Sequence, residues 1–121
     1  MSEMKLAAIE EKFAELIWKT EPVRSGDLVR LASEELGWNK STTYTVLRKL
    51  CARGIFQNED STVTALVTRA EFDAIRSEEF VRDTFRGSLP AFIAAFASRQ
   101  TLTSEQVAQI RAMIDEMEEH K

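Results

Sequence analysis

Asn39-Lys40-Ser41-Thr42-Thr43-Tyr44-Thr45-Val46-Leu47-Arg48-Lys49-Leu50, closed by Cys51-Ala52-Arg53-Gly54, is the stretch whose reading decides the fold. Asn39 suits an N-cap, because its side-chain oxygen can accept from an orphan first-turn N–H. Gly54 suits the far end, where a left-handed residue is wanted. Thr43, Leu47 and Leu50 recur at helical spacing, and Val46 and Cys51 widen the stripe, so that side should face a core. Lys40, Ser41, Thr42, Tyr44, Thr45, Arg48, Lys49 and Arg53 are left on the outer side. Between Gly37 and Asn58 there are four basic residues and no acidic one, in a chain whose formal net charge is -4. Such a surface suits a phosphate-lined groove.

Working outward, Leu6, Ile9, Phe13, Leu16 and Ile17 predict an amphipathic helix over about 6–19, with Trp18 at the core edge. Pro22 interrupts it. Ser25 is the expected N-cap of a second helix, Asp27 lies near its positive end, and Gly37 stops it. Leu28, Leu31, Ala32 and Leu36 form its inner face. Trp38-Asn39 is a tight connection, so the second and third helices make a helix-turn-helix pair. Beyond Gly54 the period changes. Ile55-Phe56-Gln57, the turn-forming run Asn58-Glu59-Asp60-Ser61, and Thr62 to Val67 read as strand, turn, strand. A hairpin at that position converts a helix-turn-helix into a winged helix.

Thr68-Arg69-Ala70-Glu71 is a capping box opening a long helix to about Arg86. Gly87-Ser88-Leu89-Pro90 interrupts it, and Pro90 fits the first turn of the next, an apolar helix through Ala97. Thr103-Ser104-Glu105-Gln106 is a second capping box, and the last helix is expected to fray at Glu118-Glu119-His120-Lys121. The fold class is therefore mainly α. A winged helix-turn-helix with a small β-hairpin wing occupies 1–68, and a helical dimerisation region occupies 69–121. The first segment carries nine basic and ten acidic residues, the second seven basic and ten acidic, so the negative charge is weighted away from the third helix.

A winged helix of ~65 residues has too small a core to bury three further apolar stripes. Phe72, Phe80, Phe85, Phe92 and Phe96, with Val107, Ile110, Ile114 and Met117 of the last helix, are the expected interface of a symmetric homodimer. A single compact bundle within one protomer is the competing arrangement.

Other classes find little support. One cysteine rules out an intramolecular disulfide framework and a multi-cysteine metal cluster. No apolar run approaches the ~18 residues of a membrane span, and Met1-Ser2-Glu3-Met4-Lys5 lacks the features of a signal peptide. The expected compartment is the cytoplasm, without membrane insertion. Cys51 sits on the inner stripe and reads as a core residue. His120 is the only histidine and lies in the tail. Asp115, Glu116, Glu118 and Glu119 have no pocket, histidine or phosphate loop beside them and read as a solvated face. No enzyme, cofactor or metal site is expected. Exposed cations on a helix are ordinarily just solvated, but here the missing acids, the hydroxyl cluster and the helix-turn-helix setting favour DNA. Arg48 is the candidate for bidentate contact with guanine or a phosphate clamp.

Leu6-x3-Glu10-x7-Trp18, Pro22-Val23, Gly37-Trp38, Ser41-Thr42-x-Tyr44-Thr45-x-Leu47-x2-Leu50 and Gly54 together resemble the penicillinase-repressor and copper-transport-repressor family. The resemblance covers about 4–67 well, and the tail agrees in pattern with the penicillinase-repressor branch. It implies a winged-helix DNA-binding domain, a helical dimerisation domain and repression from palindromic operators. It also implies that Ser41, Thr42, Tyr44, Thr45 and Arg48 approach bases and nearby phosphates, with Lys40, Lys49 and Arg53 on the backbone. A membrane sensor protease or another inducing system would be a further partner.

Three positions depart from the family pattern. The wing tip is Glu59-Asp60, where a DNA-facing wing ordinarily offers basic or neutral groups. Cys51 stands alone, so release by a multi-cysteine copper site is excluded. The position cut in antibiotic-linked members, between Asn and Phe, is matched here by Ala95-Phe96. The rival reading is a winged-helix protein-interaction module that does not bind DNA, favoured by the acidic wing and the negative net charge.

Overall fold

The computed structural model describes residues 5–119, so the expectations for the first four residues and for His120 lie outside it. Six helices and three short strands follow in the order α1 (Ala8–Thr20), β1 (Val23–Arg24), α2 (Ser25–Leu36), α3 (Lys40–Ala52), β2 (Phe56–Glu59), β3 (Thr62–Ala65), α4 (Arg69–Phe85), α5 (Leu89–Arg99) and α6 (Ser104–Glu119). This is a mainly α chain with an N-terminal winged helix followed by helices, as its sequence predicts. Two compact units divide between Glu79 and Phe80, inside α4, later than the boundary expected at residue 68.

The first unit is organised by the stripes that the sequence announces. Phe13 and Ile17 of α1, Leu28 of α2 and Leu50 of α3 have no exposed surface, and Ile55, Phe56 and Val63 of the hairpin close over them. Burial of this kind contributes roughly 1.5–3 kcal/mol per large side chain. Trp38 in the α2–α3 connection packs on Phe13 in a tilted arrangement with ring centroids 5.0 Å apart. Trp18 sits between Phe56 and Phe72, and its indole N–H donates to the Val67 carbonyl at 2.9 Å. Its polar tip is thereby satisfied at the core edge.

The α3 ends follow the capping chemistry of the sequence. Asn39 accepts from the Thr42 amide at 2.8 Å. At the other end Gly54 has φ +78, its amide donates to Cys51 O, and Ile55 N donates to Leu50 O. These two bonds form a Schellman motif whose following apolar residue, Ile55, is fully buried.

The sheet order is β1-β3-β2, antiparallel throughout. β2 and β3 pair Glu59 with Thr62, leaving Asp60 and Ser61 as a two-residue loop with φ of 50 and 63. Two left-handed central residues are the signature of a type I′ hairpin turn. β1 is an addition that the sequence did not announce, because two residues are too few to show an alternating period. Glu21, just before it, accepts from the Ala65 amide at 2.7 Å and satisfies a donor beyond the end of the short ladder. Ser25 is likewise not an N-cap: α2 begins at Ser25, and its cap position is Arg24.

Both predicted capping boxes form. Thr68 and Glu71 exchange bonds of 2.9 and 3.0 Å, and Thr103 and Gln106 exchange bonds of 2.9 and 3.1 Å. The Glu71 carboxylate accepts from the Thr68 amide and from its hydroxyl, which holds its pKa below the ordinary value. The N-terminal part of α4 belongs to the first unit. Phe72 is fully buried there, and Arg69 and Arg76 reach Glu15 and Glu11 of α1 at 2.8 and 2.7 Å. Phe72 therefore has no surface to offer a partner, which corrects its place in the expected dimer interface. Its spacing on α4 matched the other phenylalanines, but the helix's first turns are docked on α1.

In the second unit Arg86 and Gly87, with φ of 52 and 81, end α4. Ser88 then caps α5, accepting from Ala91 N at 3.1 Å, with proline in the first turn. Phe80, Phe85 and Phe92 meet edge to face, with centroids 5.6–5.9 Å apart. α6 continues through Glu119 rather than fraying at Glu118. Among the described residues no helix is long and apolar enough to cross a membrane.

Candidate nucleic-acid interface

α3 turns Thr43, Leu47 and Leu50 into the core and leaves Lys40, Ser41, Thr42, Thr45, Arg48 and Lys49 exposed. Among the described residues no ion pair involves Lys40, Arg48 or Lys49, whereas Arg30, Arg53, Arg69, Arg76 and Arg82 all have carboxylate partners. The three α3 cations are thus uncompensated, on a helix with no acidic residue of its own. Their charge is available to an anion.

The expected residues do not all stand on that open face. Arg53 lies 3.7 Å from Glu10 and donates to the Lys5 carbonyl at 3.2 Å, so its guanidinium is engaged with the protein's own α1 end. Unlike Lys40, Arg48 and Lys49, it is therefore not an uncompensated cation. Glu10 also accepts from Ala7 N at 2.9 Å, which explains its position in the motif: it closes the start of α1 and holds Arg53. Tyr44 is half-buried, and its hydroxyl donates to Ser25 Oγ at 3.2 Å. It braces α3 against the start of α2.

Ser25 is the residue that sequence reasoning misjudged most. It is 6 % exposed, receives the Tyr44 hydroxyl, and donates its own amide to Ser61 O in the wing turn at 2.8 Å. Through it α3, the start of α2 and the wing turn are joined. Arg24 precedes it, exposed, in β1 opposite Thr62. Strand pairing thus brings Arg24 beside the wing, a cation for which the chain order gave no signal. The acidic tip formed by Glu59 and Asp60 is exposed. Its turn is tied to the start of α2 by the bond from Ser25 N to Ser61 O.

Cys51 is half-buried, and desolvation pushes its thiol pKa up, which disfavours the reactive thiolate. It behaves as a core-edge residue.

The family model described as Penicillinase repressor matches residues 6–116, taking in the winged helix, the open face of α3 and nearly all of the following helices. The chain belongs to the penicillinase repressor family. A penicillinase repressor of Bacillus licheniformis is 17% identical over 121 residues, covering 97% of this chain and 94% of that protein. The family is one of DNA-binding transcriptional repressors and not a class of enzymes. The resemblance read from the third helix and its flanks is thereby established over almost the whole chain.

The remaining expected residues lie in the second unit. Phe80, Phe96, Ile114 and Met117 are 51%, 46%, 48% and 64% exposed. Phe85, Phe92, Val107 and Ile110 are half-buried. Ala95-Phe96 lies within α5, and both residues are exposed. The peptide bond between them is helical, whereas proteases act on extended chain.

Proposed function

We propose that this penicillinase-repressor family member acts as a homodimer on a pseudo-palindromic operator, with α3 of each protomer in the major groove. The observation that carries the reading is the uncompensated cationic face of α3, with Lys40, Arg48 and Lys49 around exposed Ser41, Thr42 and Thr45. Phosphate contacts would fix the register, and side chains of α3 would read base edges. Two-fold symmetry calls for recognition helices about one helical turn, ~34 Å, apart.

The dimer half of the reading rests on the exposed apolar residues of α4, α5 and α6, which find no cover within their own unit. A second copy would supply it. Release of repression by a membrane sensor protease would require α5 to open around Ala95-Phe96, and alanine there departs from the family's cut site.

The acidic wing favours one rival, a winged-helix module that binds protein instead of DNA. Binding to promoter duplex titrated against salt separates the two. A repressor gives a steep negative slope of log affinity on log salt, close to one unit for each phosphate neutralised. An adaptor gives weak, shallow binding at any moderate salt, and that result would retire the operator reading.

A further inference from the structure

The outer face of α3 has a centre and a rim. The buried side is set by Thr43, Leu47 and Leu50, and the positions opposite it are Ser41, Thr45 and Ala52, all exposed. These three are short. The longer cations Arg48 and Lys49 stand to either side of that line. A helix with short residues along its outermost line can bring its axis close to base edges while its flanking cations reach the phosphates.

Thr45 stands at the middle of this line, and its hydroxyl is already engaged. Oγ1 donates to the Ser41 carbonyl one turn back, at 2.9 Å. A threonine hydroxyl has a single hydrogen, so Thr45 has none left for a base acceptor such as guanine N7 or O6 or thymine O4. The bond turns Oγ1 toward the helix's own backbone, which leaves the Cγ2 methyl as the side-chain group not tied to it. Buried Thr43 makes the same bond to Asn39 O at 3.0 Å. The back-bond is therefore repeated along the helix.

We infer that Thr45 reads the operator with its methyl group, packing against the C5 methyl of a thymine in each half-site, and not by donating from its hydroxyl. The inference rests on the reading of α3 as the groove-entering helix and adds the base class and the contacting atom. Thymine is the one base whose major-groove edge carries a methyl. A short apolar group at the closest point of approach discriminates it from cytosine, which presents an amino donor and no methyl.

The test uses the full-length protein and a duplex that this protein selects from a random-sequence pool. Each thymine of that duplex is replaced in turn by deoxyuridine, which removes only the C5 methyl. One thymine per half-site should then weaken binding by about fourfold, the worth of one buried methyl. Thr45→Val keeps the methyl and loses the hydroxyl. It should bind within about twofold of the parent and keep the same deoxyuridine sensitivity. Thr45→Ser keeps the hydroxyl and loses the methyl. It should lose about fourfold per half-site, about sixteenfold for the dimer, and become indifferent to deoxyuridine at that position. Circular dichroism confirms that both variants, altered at an exposed site, retain the fold.

The opposite pattern overturns the inference: Thr45→Ser like the parent and Thr45→Val impaired. A selected duplex with no methyl-sensitive thymine, or a sensitivity that survives in Thr45→Ser, also overturns it while leaving DNA recognition by α3 intact. Selection of no duplex at all removes the groove reading itself.

Discussion

Up to Glu79, apolar side chains from three helices, three strands and the first turns of α4 are sealed in one core; from Phe80 to Glu119 not one described residue is buried. The two segments are similarly patterned in sequence, each built of amphipathic helices with sound caps. The difference is that the first has enough elements around a common centre to cover every stripe, and the second has three helical pieces that leave Phe80, Leu89, Phe96, Met113, Ile114 and Met117 largely open. Apolar surface of that extent on a soluble chain ordinarily marks an interface. Folding of the second unit should depend on a partner, whereas the first should be self-sufficient.

The largest effect that can break this contrast is a pair of phenylalanine truncations. Phe72→Ala opens a cavity in the first unit and should cost roughly 3–5 kcal/mol in denaturant unfolding, independent of protein concentration. Phe96→Ala should leave the first unit's stability intact and weaken self-association in sedimentation equilibrium. If Phe72→Ala instead altered only association, the assignment of α4's first turns to the winged helix would be wrong.

Next in size is a contrast within the first unit. Arg48→Ala should lose about 1–3 kcal/mol of operator affinity, with relaxed discrimination at one base pair. Arg53→Ala should cost DNA binding much less, because its guanidinium is already engaged by Glu10 and the Lys5 carbonyl. Equal losses in gel-shift titrations would show that Arg53 leaves those partners on binding.

The wing offers a smaller effect. Its turn is held to the start of α2 by the Ser25–Ser61 bond, and Ser25 also receives the Tyr44 hydroxyl of α3. Neutralising both carboxylates of the tip, as Glu59→Gln with Asp60→Asn, should strengthen duplex binding by on the order of 1 kcal/mol or less at low salt. The gain should fade as salt screens the repulsion. No gain at low salt would place the tip away from phosphate.

The smallest effect concerns the α4 cap. The Glu71 carboxyl titrates below its ordinary value because the folded state hydrogen-bonds its charged form to Thr68. Its contribution to stability is therefore complete above the ordinary carboxylate pKa and is lost as pH falls through the lowered one. Glu71→Gln should remove that part of the acid dependence from thermal melts. Parallel profiles for parent and variant would show that the box forms without the charge.

Much of this architecture was legible in the residues. Helical spacing located every helix, because an apolar stripe must be buried and repeats near every third or fourth residue. The capping boxes, the Asn39 cap and the left-handed Gly54 were readable because they depend on side chains only three or four positions apart. The run without acids between Gly37 and Asn58 identified the candidate surface for a similar reason, since charge on one helix is a local property. The wing turn was placed by composition, although its two-residue form depends on the register of Glu59 with Thr62.

The sequence by itself determined the six helices, the hairpin, most of the caps and the inner stripe of α3, all of which follow from interactions within a few residues along the chain. Tertiary structure alone decided which equivalent-looking side chain has which duty. Phe72 became core while Phe96 stayed open, Arg53 was engaged while Arg48 was left free, and Ser25 changed from a cap into the tie between α3 and the wing. Those outcomes depend on what stands opposite each residue after distant segments meet, as Glu10 meets Arg53 and Ser61 meets Ser25. Periodicity along one helix carries no information about its neighbour.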